Sequence, residues 1–296
     1  MSADHSFTTL GDGAWHFQAA RWQTSSLLAV TKGEALVGDP SFTPEEISAI
    51  RAQADMRAGR TTHFLLTHSH FDHTCGIGFF PEASVIAGQE TAAVIQRGDA
   101  SAQLASAAAE WGMDWPTDLR VDRVVEAGVE LSHGPFPILP VEAGGNTLDG
   151  TAYVLPNQKI LMAGDFLGSV IYPFLEGPPS LARATCERLL SLFDRYEIKW
   201  VVAGHGPALT PAGARAIGEA DVAYLDRLEA TARATVASGA SPAEALLEVY
   251  GVDPPRAISD DFGVYGQRVT NARYALKAAG LSLPMRDSVT WRLFDG

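Results

Sequence analysis

The stretch 67-THSHFDHTCG-76 places three of the chain's eight histidines and one aspartate within positions 68–73. It follows directly on 61-TTHFLLT-67, a short apolar run of strand length. If Thr67 ends a buried strand and the chain stays extended, side chains alternate sides with period two. His68, His70 and Asp72 then converge on one side and His73 points elsewhere. That arrangement suits two adjacent cations, with His68 and His70 on one and Asp72 and His73 on the other. Imidazole and carboxylate ligands favour zinc, with iron or manganese gaining as carboxylates accumulate. As mere surface decoration, histidines this crowded would compete for protons and partners, so the metal reading is preferred.

Outward from this stretch the first half reads as short strands between turns. Strand-like runs are 14-AWHFQAA-20, 26-SLLAVT-31 and 34-EALVGD-39, and 43-TPEEISAIRAQADMRAG-59 carries a full set of helix start and stop signals. A strand at 83–88 and helical stretches near 89–98 and 100–112 follow. Further strands are read at 121–128, 136–144, 150–156, 159–165 and 198–207, with a helix over 180–196. From about 211 to 280 the pattern is mostly helical, broken near Gly239 and 251-GVDPP-255. Two β-rich halves with helices outside predict one domain of layered sheets over 1–296, with a core at about 10–210 and a helical extension from about 211.

Composition narrows the function. Twenty-two Lys and Arg against 35 Asp and Glu give a net charge of −13, which disfavours a nucleic-acid partner. The apolar runs are far short of a membrane span, and no secretory signal is read at the N-terminus. Two cysteines make no disulfide framework, so a cytoplasmic protein acting on a small-molecule substrate is expected.

HSHFDH at 68–73 resembles the H-x-H-x-D-H signature of the metallo-β-lactamase superfamily, in the loop where that family carries it. LMAGD, ending in Asp165, looks like the family's metal-bridging aspartate, and VVAGHGP, containing His205, looks like its final metal-binding histidine. The resemblance covers roughly residues 10–210. It implies an α/β fold, the αββα sandwich, with metal ligands His68, His70, Asp72, His73, Asp165 and His205. It leaves the substrate open, because one fold hosts many reactions.

One position departs from the pattern. In family members with two metals, a third first-site histidine comes from a G-H-T motif; here 144-GGNTLDGT-151 places Asn146 there. An amide carbonyl is a poorer zinc ligand than imidazole. The adopted reading is a single zinc at Asp72, His73, Asp165 and His205, with Asn146, His68 and His70 free to serve the substrate. Two zinc ions with Asn146 as a poor ligand is the alternative, and a site not used for hydrolysis is the third. An asparagine in the pocket is also similar to a zinc-dependent hydrolytic dehalogenase of this fold that acts on chlorothalonil.

The function implied is a metal-dependent hydrolase of a small organic molecule using a metal-activated water, with Asp72 orienting that water. Ester, lactone, thioester, amide-type and aryl-halide bonds stay open. The rivals are an iron enzyme like the persulfide dioxygenases and a non-catalytic metal-binding protein. His63 is read as a core or supporting histidine, and His5, His16 and His133 as surface or structural. Trp111, Trp115, Phe166, Tyr172 and Phe174 are candidates for an apolar pocket wall. The C-terminal helices are read as a packing cap, with a lid or homodimer surface involving Tyr265 as the alternative.

Overall fold

The apolar runs around the histidine cluster form strands that are buried on both faces. The structure, a computed structural model, describes residues 7–59, 61–257 and 264–283. His5 and the side chains of Thr61, Thr62, Val264 and Tyr265 lie outside the described residues. A seven-stranded sheet runs in chain order through β1 (Phe7–Gly11), β2 (Ala14–Gln18), β3 (Ser25–Thr31), β4 (Glu34–Gly38), β5 (Thr61–Leu65), β6 (Ser84–Gly88) and β7 (Arg123–Val125). It is antiparallel as far as β4 and parallel from β4 onward.

The second sheet contains β8 (Leu131–His133), β9 (Phe136–Glu142), β10 (Thr151–Leu155), β11 (Ile160–Gly164) and β12 (Trp200–Ala203) in the order β12-β11-β10-β9-β8. Only its β11–β12 pair is parallel. The helices are α1 (Pro44–Ala58), α2 (Phe71–Thr74), α3 (Gln89–Gln96), α4 (Asp99–Trp111), α5 (Pro179–Arg195), α6 (Pro211–Ala237), α7 (Pro242–Tyr250) and α8 (Val264–Ala278).

Side-chain alternation sorts the strands into four layers. Leu27, Leu36, Leu65 and Ile86 of the first sheet meet Tyr153, Leu155, Ile160, Met162 and Val202 of the second. Their neighbours Leu28, Val37, Phe64 and Val85 face outward onto Ile47 and Ile50 of α1, Ile95 of α3 and Leu104 of α4. Val154, Leu161 and Val201 face the other way, onto Leu189, Tyr224, Leu228, Val249 and Leu276 of α5–α8. Each such side chain contributes about 1.5–3 kcal/mol by burial, so a one-residue slip of any strand is prohibitive. The result is the αββα sandwich. Among the described residues no helix is long and apolar enough to cross a membrane.

The start of α1 carries consequences for the site. Thr43 Oγ1 accepts from the Glu46 N–H, and Glu46 Oε2 accepts from the Thr43 N–H at 3.0 Å, the reciprocal cap its sequence predicts. The other oxygen of buried Glu46 accepts from the Ala20 N–H at 2.8 Å and so fixes the loop before β3. β1 and β8, short and polar at alternate positions, are not apparent in the sequence.

Candidate metal centre

Every predicted ligand lies in a segment that follows the end of a strand, β5, β11 or β12. Asp165 follows β11 and His205 follows β12, and the parallel pairing of those strands brings the two turns together. The Gly204 N–H donates to Gly164 O at 2.7 Å, and Gly204 O accepts from the Ser25 N–H at 2.7 Å, tying in the first sheet. After β5 the chain does not stay extended. The N–H groups of His73 and Thr74 both donate to His70 O, and Phe71–Thr74 form a helical turn. The alternating arrangement expected for 68–73 is therefore incorrect: the turn swings Asp72 and His73 together toward His205.

The hydrogen bonds fix which nitrogen of each ring faces inward. The Asp39 carboxylate accepts from His73 Nδ1–H at 2.9 Å, and Trp22 O accepts from His205 Nδ1–H at 2.8 Å. Thr67 Oγ1 donates to Asp39 at 2.6 Å, so it can only accept from His68 Nδ1–H, 2.9 Å away. The Nε2 lone pairs of His68, His73 and His205 all point into the site. His70 Nε2 lies 3.5 Å from the Glu176 carboxylate, leaving its Nδ1 facing His68 Nε2 at 3.1 Å. Two lone pairs at that distance need a proton or a cation between them.

Two groups of ligand atoms result, His68–His70–Asp165 and Asp72–His73–His205, all buried except half-buried His70. In the second group His73 Nε2 is 3.5 Å from Asp72 and 3.2 Å from Asp165 Oδ1, while His205 Nε2 is 3.4 and 3.5 Å from the same two carboxylates. Most of these are long for a hydrogen bond, but ligands held at 2.0–2.1 Å around a tetrahedral zinc stand roughly 3.3 Å apart. Among the described residues, His73 Nε2 and Asp165 Oδ1 are buried without a hydrogen-bond partner. The donor set and its orphaned atoms fit a zinc-sized cation.

Electrostatics agree with a cluster short of positive charge. Burial would lower His73, but Asp72, Asp165 and Asp39 outweigh it and hold its pKa well above the ordinary range. Burial opposes ionisation of Asp165 too, yet His205, His73 and His68 depress its pKa well below that of a free carboxyl. His68 is pushed well down, by burial first and by His73 next. His70 reaches about 9 because Glu176 overcomes its burial. A cation replaces protons of this kind when it binds.

Asn146 sits in the loop between β9 and β10, 4% exposed, and lines a small cavity with Thr67, His68, Asp165 and Phe166. Its Oδ1 is buried without a hydrogen-bond partner among the described residues. Of the aromatic candidates, Trp111 stays part-exposed against Trp22, 4.8 Å between centroids, and Phe174 lies 6.3 Å from the His70 ring. Trp115 and Tyr172 are not wall residues: Trp115 is sealed under Phe42, and Tyr172 packs on Tyr224 of α6. His63, on β5, bonds Glu34 at 2.7 Å and meets the ring of His133, on β8, edge to face.

Three supporting residues escaped sequence reasoning. Asp39, at the end of β4 with φ 42°, holds Thr67 and His73; Asp149 accepts from the Ser69 N–H at 3.0 Å; Glu176 faces His70. The only signal for Asp39 is an acid between Gly38 and Pro40 at a strand end. Asp39→Asn turns an amide toward the Nδ1–H it should accept, so zinc affinity is expected to fall 10–100-fold with the fold intact, read by chelator competition.

A second support is testable by pH. His16 Nε2 lies 3.1 Å from Ser25 Oγ, which donates to Gly206 O at 2.7 Å beside His205. Burial lowers the His16 pKa to about 4, against a smaller opposing contribution from Gly206. The unfolded chain therefore binds the extra proton between about pH 6.5 and 4, and stability falls as pH drops through that window. Urea melts at pH 7 and pH 4.5 should differ by roughly 2–3 kcal/mol less in His16→Gln than in the unaltered protein.

Comparison with known proteins decides the family. Residues 19–205 match the model of the metallo-beta-lactamase superfamily. The chain belongs to that superfamily. It is similar to a hydroxyacylglutathione hydrolase of Methylobacterium nodulans, 28% identical over 170 residues, which is 57% of each chain. A hydroxyacylglutathione hydrolase of Brucella ovis is 32% identical over 73 residues, 24% of this chain and 28% of the relative. The chain thus spans little more than half the length of the first of these relatives and less of the second. Among solved structures, the metallo-beta-lactamase from Pontibacter korlensis superposes with TM-score 0.54 at 19% identity, over 75% of this chain and 98% of that one. The metallo-beta-lactamase from Erythrobacter litoralis gives TM-score 0.54 at 15%, over 74% and 98%. At these identities the superpositions speak for the superfamily fold alone.

Proposed function

We propose that this member of the superfamily is a hydrolase of a small ester or thioester, using one zinc ion held by Asp72, His73, Asp165 and His205. The observation that carries the reading is the set of inward ligand atoms at tetrahedral spacing, 3.2–3.5 Å apart. A zinc ion held there would supply an acidified water, of pKa ~7, and an electrophile for the bond attacked. Thioesters come first among the bonds because the matched relatives are hydroxyacylglutathione hydrolases.

The chain's own residues do the rest. Asp39, Thr67 and Trp22 keep the histidine rings aimed and in one tautomer. His68 and His70, backed by Glu176, hold a proton at the His70 Nδ1 to His68 Nε2 contact, beside the reacting centre. Asn146 offers its unpartnered Oδ1 as an acceptor to a donor group of the substrate. Phe174, Trp22 and Trp111 wall the approach and exclude water.

The alternative of two zinc ions is supported by the preformed His68–His70–Asp165 group, where a neutral amide replaces a third imidazole. A panel of thioesters, esters, lactones and aryl halides tests the activity. Thioester or ester turnover should vanish on chelation and return with zinc. Turnover indifferent to chelation, or none on any of these bonds, would overturn the proposal.

A further inference from the structure

Residues 166–178, between Asp165 and α5, form no strand and no helix, yet Phe166, Leu167, Tyr172, Phe174 and Leu175 among them are buried. Buried backbone of this kind must find its hydrogen bonds elsewhere. The C-terminal extension supplies them. Asn271 of α8, fully buried, accepts from the Leu175 N–H at 2.9 Å and donates to Pro173 O at 2.7 Å and to Tyr224 Oη at 3.2 Å. Arg256 donates to Ile171 O at 2.8 Å and is held by Asp221 at 2.7 Å.

An amide that accepts from one residue and donates to the residue two before it grips the chain as a neighbouring strand would. The residue gripped between them, Phe174, packs toward His70. Two residues on, Glu176 reaches His70 Nε2 with its carboxylate and donates its N–H to Gly145 O, next to Asn146, at 3.1 Å. One side chain on α8 thus fixes the strip of backbone that supports both His70 and the Asn146 loop.

We propose that Asn271 is a positioning residue of the metal centre, setting Phe174 and Glu176 against His70 and, through Gly145, the approach of Asn146. The α6–α8 extension is then part of the machinery of the site as well as a cover for the second sheet. The inference rests on His70 and Asn146 belonging to the site, as the proposed hydrolase requires, and not on which bond is cleaved.

The test reads imidazole N–H protons by NMR in zinc-loaded protein with 15N-labelled histidine. Asn271→Leu should speed exchange of the His70 Nε2–H about tenfold, the worth of one lost hydrogen bond. The Nδ1–H signals of His73 and His205, held by Asp39 and Trp22, should stay where they are, with zinc content and circular dichroism unchanged. Asn271→Asp keeps the acceptor for Leu175 but sets an oxygen against Pro173 O, and should act in the same direction. Glu176→Gln should mimic both, and joining it to either Asn271 variant should add nothing. The proposal is overturned if Glu176→Gln moves the His70 signal and the Asn271 variants do not. Equal disturbance of all three histidines in both Asn271 variants, which marks general loosening, overturns it too. No turnover is read, so failure to hydrolyse the substrate panel leaves this outcome independent.

Discussion

Asp165→Ala is expected to weaken zinc binding and hydrolysis together by orders of magnitude, the largest single effect in the molecule. Its Oδ1 lies 3.2 Å from His73 and 3.5 Å from His205, and its Oδ2 lies 3.6 Å from His68, so one carboxylate serves both ligand groups. Without it, three inward-facing imidazoles are left with Asp72 as the remaining carboxylate between them. Removing one partner from a buried ionic set costs on the order of 3–5 kcal/mol. At 1.36 kcal/mol per tenfold, that is a loss of roughly two to three and a half powers of ten in zinc affinity. Asp165→Asn keeps the volume and loses the charge, so it should spare the fold while losing most of the metal. Competition with a chromogenic chelator measures both variants, and unaltered affinity in either contradicts a role as ligand.

Gly204→Ala is expected to be nearly as damaging, although it adds one methyl group. A Cβ at position 204 would stand 2.0 Å from Asp165 Oδ1, 3.0 Å from His73 Cε1 and 3.2 Å from the Gly164 backbone. Backbone on one side and a buried ligand on the other leave the methyl nowhere to go. Asp165 must rotate away or the β11–β12 turns must part, costing about 1–3 kcal/mol in stability. A ligand displaced by an ångström no longer closes the tetrahedron, so zinc occupancy should fall well below that of the unaltered protein. Denaturant melts with metal analysis check this, and full occupancy in Gly204→Ala would contradict the close packing at His205.

The ligands were legible because each follows an apolar run: 61–67 before His68, 159–163 before Asp165, 198–203 before His205. Strand followed at once by ligand is a local pattern, and the layered fold could be read from the same runs. What stayed hidden depends on pairing between distant segments. Asp39 faces His73 because β4 lies parallel beside β5, with Gly38 opposite Leu65. Glu176 reaches His70 because Asn271, far along the chain, grips Pro173 and Leu175. The helical turn at Phe71–Thr74 was missed because four residues are too short to show a helical period; hydrogen bonds to His70 O decide the matter. Trp115 and Tyr172 were misplaced because an aromatic residue near a motif loop can equally belong to the core beneath it.

In the proposed single-zinc reading Asn146 sets this chain apart from a two-metal member of its superfamily, and the metal count tests that reading most directly. The unaltered protein, saturated with zinc and freed of excess, should hold close to one equivalent by elemental analysis. Asn146→His, which restores an imidazole beside His68 and His70, should hold close to two. Two equivalents in the unaltered protein would contradict the single-zinc account.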